Sequence, residues 1–148
     1  GKTTDKLFAT GIADYADRIT HYLSFSINTI PALKNTKNLS EEEQKKAEGE
    51  LILRQLQPSD TVVLLDEHGA ERTSMETAAW LQKKMQTARR LVFVIGGPYG
   101  FSDAVYQRAN EKISLSRMTF SHQMVRLIFT EQLYRACTII KGESYHHE

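Results

Sequence analysis

Leu91-Val92-Phe93-Val94-Ile95-Gly96-Gly97-Pro98-Tyr99-Gly100 joins five consecutive apolar residues to a loop of glycines around a proline. An unbroken apolar run bounded by Gly and Pro predicts a strand covered on both faces, as in a parallel sheet. Thr61-Val62-Val63-Leu64-Leu65 repeats the pattern upstream and is followed by Asp66-Glu67-His68-Gly69, which reads as a loop. Small polar ligands of open α/β sheets bind at the carboxyl ends of such strands. The glycine loop and Asp66 therefore fall at one candidate site.

Around these strands the periodicity is helical. Residues 5–23 place Phe8, Ile12, Tyr15, Ala16, Ile19, Tyr22 and Leu23 at steps of three and four, an amphipathic helix. Phe25, Ile27 and Thr29 alternate with polar residues, which predicts a short strand over 25–30. Residues 34–38 read as a loop whose two lysines either touch phosphate or are solvated. Ser40 and Glu43 form a capping box that opens a helix to about Leu56, with Ala47, Leu51, Ile52 and Leu56 inward. Ser74 is expected to cap a helix to Thr87, with Met75, Ala78, Leu81 and Met85 inward. Ser102 is expected to cap a helix over 103–111. A short strand over 113–115, a helix over 122–136 and a last apolar stretch over 138–140 complete the chain. Alternating helices and apolar strands predict an α/β fold with a mainly parallel sheet and helices on both faces.

The chain has 148 residues, 41% hydrophobic and 25% charged, enough for one domain with a real core. A formal net charge of +1 argues against a nucleic-acid coat but leaves room for a local basic patch. Cys137 is the only cysteine, so an internal disulfide is excluded and an intracellular, cytoplasmic protein is expected. No apolar run is long enough to span a membrane. His146 and His147 are adjacent and lack a third ligand nearby, so no metal site is expected.

The glycine loop lacks the Gly-Lys-Ser/Thr ending of a P-loop and the Gly-x-Gly-x-x-Gly of a dinucleotide fold. It either serves another ligand or only turns the chain. Asp66 either accepts from ligand hydroxyls or caps a turn, and Leu65 is a candidate apolar shelf for a base. The block Leu115-Ser116-Arg117-Met118-Thr119-Phe120-Ser121-His122 links a strand to a helix. Its backbone groups can read an adenine edge while Met118 and Phe120 enclose the faces; alternatively, both are core residues. Ser121 reads as a helix cap in either case. No spacing supports a hydrolase triad.

Leu64-Leu65-Asp66, the block 93–100, the block 115–126 and the end Tyr145-His146-His147-Glu148 together resemble the ribosomal RNA large subunit methyltransferase H family, which is similar to the SPOUT class. The resemblance covers essentially the whole chain. It implies an α/β domain with a C-terminal trefoil knot, bent S-adenosylmethionine as cofactor, and a homodimer. It also implies N3-methylation of a pseudouridine in helix 69 of 23S ribosomal RNA on assembled ribosomes, by in-line attack on the sulfonium methyl. Leu65 and Gly97 match cofactor positions, as do Leu115, Ser116, Arg117, Met118, Thr119 and Phe120, while Gly96 and Gly100 shape the loop. The family tail reaches the partner's active site; His146 and Glu148 match it directly, and position 147 is Arg in some members. His146 or His147 is thus the expected group for proton handling or base orientation. Arg126 and Arg135 are expected to contact RNA, the dimer partner or neighbouring carboxylates. Family members begin with a short strand before a Gly-Lys/Thr turn, so a first strand is expected to be missing ahead of Gly1. Alternatives to this reading are a knotted methyltransferase acting on transfer RNA or another ribosomal site, and a non-enzymatic ribosome-binding protein.

Overall fold

The computed structural model describes residues 1–147. The apolar run at 61–65 opens β1 (Thr61–Glu71), the middle strand of a parallel sheet. Its neighbours are β2 (Leu91–Ile95) on one side and β3 (Glu111–Ser114) on the other. Val62, Val63 and Leu64 are each 0% exposed, which accounts for the missing alternation: both faces of this strand are covered.

The two faces carry different helices. Val63 packs with Ile19 of α1 (Lys6–Ile19), Ala78 and Leu81 of α3 (Ser74–Thr87), and Phe129, Leu133, Ala136 and Cys137 of α5 (His122–Lys141). Val62 and Leu64 point the other way, onto Ile52 of α2 (Glu41–Arg54), Phe101, and Val105 of α4 (Asp103–Arg108). The α/β architecture with helices on both faces of a parallel sheet is as expected. Ser40 and Glu43 form the expected capping box, and Ser102 and Ser121 cap α4 and α5.

Several boundaries differ from the sequence reading. Residues 25–30 are not a strand. Phe25 packs on the core beneath α5 and Ile30 on the core beneath α2, so this stretch carries the chain from one face of the sheet to the other. The alternation reflects that crossing, not a pleat. Residues 66–69 are not a simple exit loop: the β1–β3 register breaks after Leu65 and resumes at Ala70, leaving both Leu65 and Ala70 opposite Ile113. Thr73 caps α3 in place of Ser74, with Glu76 closing the box. Met75 and Met85 face solvent, while Ala78 and Leu81 are buried. Residues 138–140 are the last turn of α5, which ends at Gly142 in the left-handed region (φ 70°), a conformation glycine adopts without Cβ strain. The first helix stops at Ile19, and α4 stops at Arg108 so that Glu111 can begin β3.

Candidate active site

Leu65 is the register partner of Ile95 on one side and Ile113 on the other. β2 and β3 therefore end near the level where β1, which continues to Glu71, breaks its register, and the loops after β2 and β3 emerge together. This brings Leu65, Gly96 and Leu115 to one end of the sheet.

The loop after β2 is a tight turn. Gly100 N–H donates to the Gly97 carbonyl at 3.2 Å, with Pro98 in the second position of the turn, where its fixed φ suits. Gly100 has φ 79°, which favours glycine. Gly97 N–H donates to Glu48 Oε1 of α2 at 3.0 Å. A Cβ on Gly96 would lie 2.9 Å from the Phe101 ring, so glycine is needed there for space.

The loop after β3 is shaped by serines. Ser114 Oγ donates to the Ser116 carbonyl at 2.9 Å, Ser116 Oγ accepts from Met118 N–H at 2.9 Å, and Ser121 Oγ accepts from Met124 N–H at 3.2 Å. These side chains hold the link open between strand and helix. Arg117 reaches out to Glu71 at 2.9 Å, an exposed pair of small energetic weight. Met118 is 74% exposed, and Thr119 is exposed as well. Phe120 turns inward.

A cavity of about 340 Å³ opens beside this sheet end, between α3 and α5. Leu115 and Phe120 line it, together with Trp80, Phe93, Ile128 and Phe129. Leu65, Gly96, Gly97 and Gly100 do not. Leu65 packs on the same core cluster as the cavity wall, whereas Gly96 and Gly97 face Phe101 and Glu48. Arg72, Ser74, Thr77 and Gln132 supply polar groups to the wall. The volume suits a drug-sized ligand, and an apolar wall with a few polar groups is the usual composition of such sites.

Two neighbouring carboxylates are fixed. Asp66 Oδ1 accepts from His68 N–H at 2.8 Å, and Asp66 Oδ2 accepts from the Tyr106 hydroxyl. Burial, then this bond, pushes the Tyr106 hydroxyl up to about 12. Asp66 thus caps its turn. Glu111 accepts from Trp80 Nε1 at 3.0 Å and pairs with Lys84. Burial alone would raise its pKa, but the hydrogen bonds from Lys84 and Trp80 outweigh it and hold Glu111 below the usual range.

The sequence reading passed over Trp80, Arg72, Thr77 and Gln132, and took Ser74 for a helix cap. A signal was present: Thr73, Thr77 and Trp80 follow steps of four and three, giving α3 a face that mixes polar groups with the chain's one tryptophan.

The tail docks on α5 of its own chain. Tyr145 donates to Glu131 Oε1 at 3.0 Å, and Arg135 Nη1 lies 3.0 Å from His146 Nδ1. His147 is exposed, and Glu148 lies outside the described residues. Arg126 donates to Thr3 Oγ1 at 2.9 Å. Among the described residues no group of His, Cys, Asp or Glu has the arrangement of a metal site, and no helix is long and apolar enough to cross a membrane.

A family model described as predicted SPOUT methyltransferase matches residues 1–146. The chain belongs to the SPOUT methyltransferase family. Ribosomal RNA large subunit methyltransferase H of Phocaeicola vulgatus is 61% identical over 149 residues, spanning 100% of this chain and 95% of its own length. The protein of that name from Parabacteroides distasonis is 62% identical over the same shares. The one from Christiangramia forsetii is 60% identical over 99% of this chain and 94% of its own. The SPOUT chain is accordingly an enzyme that transfers methyl groups, in a family that depends on S-adenosylmethionine.

Proposed function

We propose that this chain methylates N3 of a pseudouridine in helix 69 of 23S ribosomal RNA, on assembled ribosomes and as a homodimer. The reading is supported by full-length similarity to proteins named ribosomal RNA large subunit methyltransferase H. The observation that carries it is the convergence of the ends of β2 and β3 on the register break of β1, with Leu65 opposite both Ile95 and Ile113.

The residues present fit S-adenosylmethionine. The cavity beside the strand ends is about 340 Å³ and has an aromatic wall suited to an adenosine. Of the residues assigned to hold the cofactor, Leu115 and Phe120 line this cavity, whereas Leu65, Gly96, Gly97, Gly100, Ser116, Arg117, Met118 and Thr119 lie outside its wall and are assigned to the part of the cofactor that reaches past it. The backbone turn at Gly97 and Gly100 and the serine-braced link at Ser116 and Met118 offer main-chain carbonyls as acceptors, since the N–H groups of Gly97, Gly100 and Met118 already donate to Glu48, Gly97 and Ser116. Leu65, Leu115 and Phe120 offer apolar surface. When bound, S-adenosylmethionine supplies an electrophilic methyl group on a sulfonium, so the N3–C bond forms as the S–C bond breaks and the N3 proton is lost. The protein is left to align the base and exclude water. In this reading the tail of one protomer, with His146 and His147, completes its partner's site and orients the base.

The test incubates methyl-labelled S-adenosylmethionine with ribosomes lacking the modification and maps the label by RNA mass spectrometry. Label at N3 of the helix 69 pseudouridine is expected. Label on transfer RNA or at another ribosomal position would overturn the substrate assignment, and absence of transfer to any RNA would overturn the activity.

A further inference from the structure

The glycine loop is held by a helix that belongs to neither of the site's loops. Gly97 N–H donates to Glu48 Oε1 of α2 at 3.0 Å. The approach is close: a Cβ on Gly97 would lie 2.9 Å from Glu48 Oε2 and 3.0 Å from Oε1, so a side chain there would displace the carboxylate. α2 comes this near because Gly49, the next residue, is buried against the start of α4. A Cβ on Gly49 would run into Ser102 Oγ and lie 3.3 Å from Val105 Cγ2. Glu48 is thus carried to the loop by a packed helix, and is itself half-buried.

A hydrogen bond from a backbone N–H to a carboxylate is charge-assisted and stronger than a neutral one. Here it fixes a peptide unit that little else restrains. Gly96–Gly97 is the only Gly–Gly bond in the chain, and glycine leaves such a unit free to turn. The bond is trans, so the unit is planar with its C=O opposed to its N–H. With the N–H on Glu48, the Gly96 carbonyl points away from α2. That carbonyl accepts no hydrogen bond among the described residues. α2 packs on one face of the sheet, while α3 and α5, which hold the cavity, pack on the other.

We propose that Glu48 is a positioning residue of the cofactor site: by holding the Gly97 N–H, it aims the Gly96 carbonyl at an N–H donor of S-adenosylmethionine. This rests on the proposed reading that Gly96 and Gly97 hold the cofactor. A backbone carbonyl only accepts, so it selects a donor. The cofactor carries two nitrogen donors, the adenine amino group and the α-ammonium of its methionine part. Glu48 acts through the peptide and does not itself touch the ligand. Without Glu48 the unit can turn its N–H toward the ligand, and a donor would then face a donor.

The test labels the protein with glycine that carries carbon-13 in its carbonyl and nitrogen-15 in its amide. Only the 96–97 unit then joins a labelled carbonyl to a labelled nitrogen, so one correlated signal reports both of its groups. In wild type, saturation with S-adenosylhomocysteine is expected to move the Gly96 carbonyl carbon downfield, as a newly accepted hydrogen bond does. Calorimetry then compares S-adenosylhomocysteine with two analogues. S-inosylhomocysteine has an oxo group in place of the adenine amino group, and methylthioadenosine lacks the α-ammonium. Glu48→Ala is expected to bind S-adenosylhomocysteine about tenfold more weakly, the scale of one hydrogen bond. Glu48→Gln keeps an acceptor for Gly97 N–H and is expected to bind as wild type does. The analogue that lacks the recognised donor is expected to bind wild type and Glu48→Ala alike, which names the donor. If Glu48→Ala weakens all three ligands equally, Glu48 only braces the loop and the proposal falls. Glu48→Gln as weak as Glu48→Ala would make charge the cause and overturns it too. A Gly96 carbonyl that stays unmoved at saturation overturns it on the wild-type protein, whether or not Glu48→Ala folds. A wild-type protein that binds no S-adenosylhomocysteine defeats the cofactor reading itself.

Discussion

Gly96→Ala tests whether the strand-end loop is set by space. A Cβ at position 96 would lie 2.9, 3.1 and 3.4 Å from three atoms of the Phe101 ring. Carbon pairs sit comfortably at about 3.5–4.0 Å, so the new methyl overlaps the ring by about half an ångström. The ring cannot swing away: Phe101 is 5% exposed, packs with Ile52, Leu64 and Val105, and meets Tyr106 edge-on at 5.8 Å. Overpacking of this kind costs about 1–3 kcal/mol, which for a chain of this size lowers the melting temperature by about 3–10 °C. The loop moves with it, so binding of S-adenosylhomocysteine should weaken. Phe101→Leu removes the ring edge and should relieve the clash. Thermal melts and titration calorimetry on the double-mutant cycle are expected to show a coupling of about 1 kcal/mol or more. Gly100→Ala is the contrasting case, with nothing within 4 Å of its Cβ but φ at 79°; its cost of about 1 kcal/mol is backbone strain and should ignore Phe101. If Gly96→Ala costs the same with or without the Phe101 ring, the spatial argument is wrong.

Other consequences can be checked separately. Asp60 is buried, accepts from Arg90 at 2.8 and 2.5 Å and from Gln57 N–H at 2.7 Å, and its pKa is lowered chiefly by Arg90. Its contribution is present above the unfolded carboxylate pKa of about 4 and is lost as pH falls through the lower folded value. Asp60→Asn should therefore cost about 1.5–3 kcal/mol near neutral pH, with the gap in urea midpoint closing in acid. Burial pushes the Cys137 thiol up to about 11, so a thiol reagent at pH 8 should label it in urea but not in the native protein. Phe120→Ala removes part of the cavity wall and should weaken S-adenosylhomocysteine binding about tenfold, the value of roughly 1.5 kcal/mol of buried ring surface.

The legible parts of the fold were those where one local rule had no competitor. Unbroken apolar runs at 61–65 and 91–95 predicted a doubly covered parallel sheet because only burial on both faces removes the need for alternation. The Ser40 box predicted its helix because the cap satisfies its own backbone donors. Residues 25–30 misled because an extended chain crossing between two cores alternates just as a pleated strand does. Thr73 and Ser74 are both competent caps, and only the reach of Glu76 back to Thr73 N–H, at 2.9 Å, decides between them. The candidate site was legible only as the loops that follow β2 and β3. Its cavity wall was not, since Trp80, Phe93 and Gln132 meet only through the packing of α3, β2 and α5. The hold of Glu131 on Tyr145 likewise depends on the chain reversal at Gly142, which periodicity does not report.

The assignment of one methyl-donor seat to the loops after β2 and β3 is tested most directly by titrating S-adenosylhomocysteine into nitrogen-15-labelled protein and following backbone amides. Amides of Gly96, Gly97, Gly100, Ser116 and Met118 are expected to shift together with a single dissociation constant, and the Trp80 indole N–H with them. Saturable binding that moves none of these amides, or only one of the two loops, would contradict it.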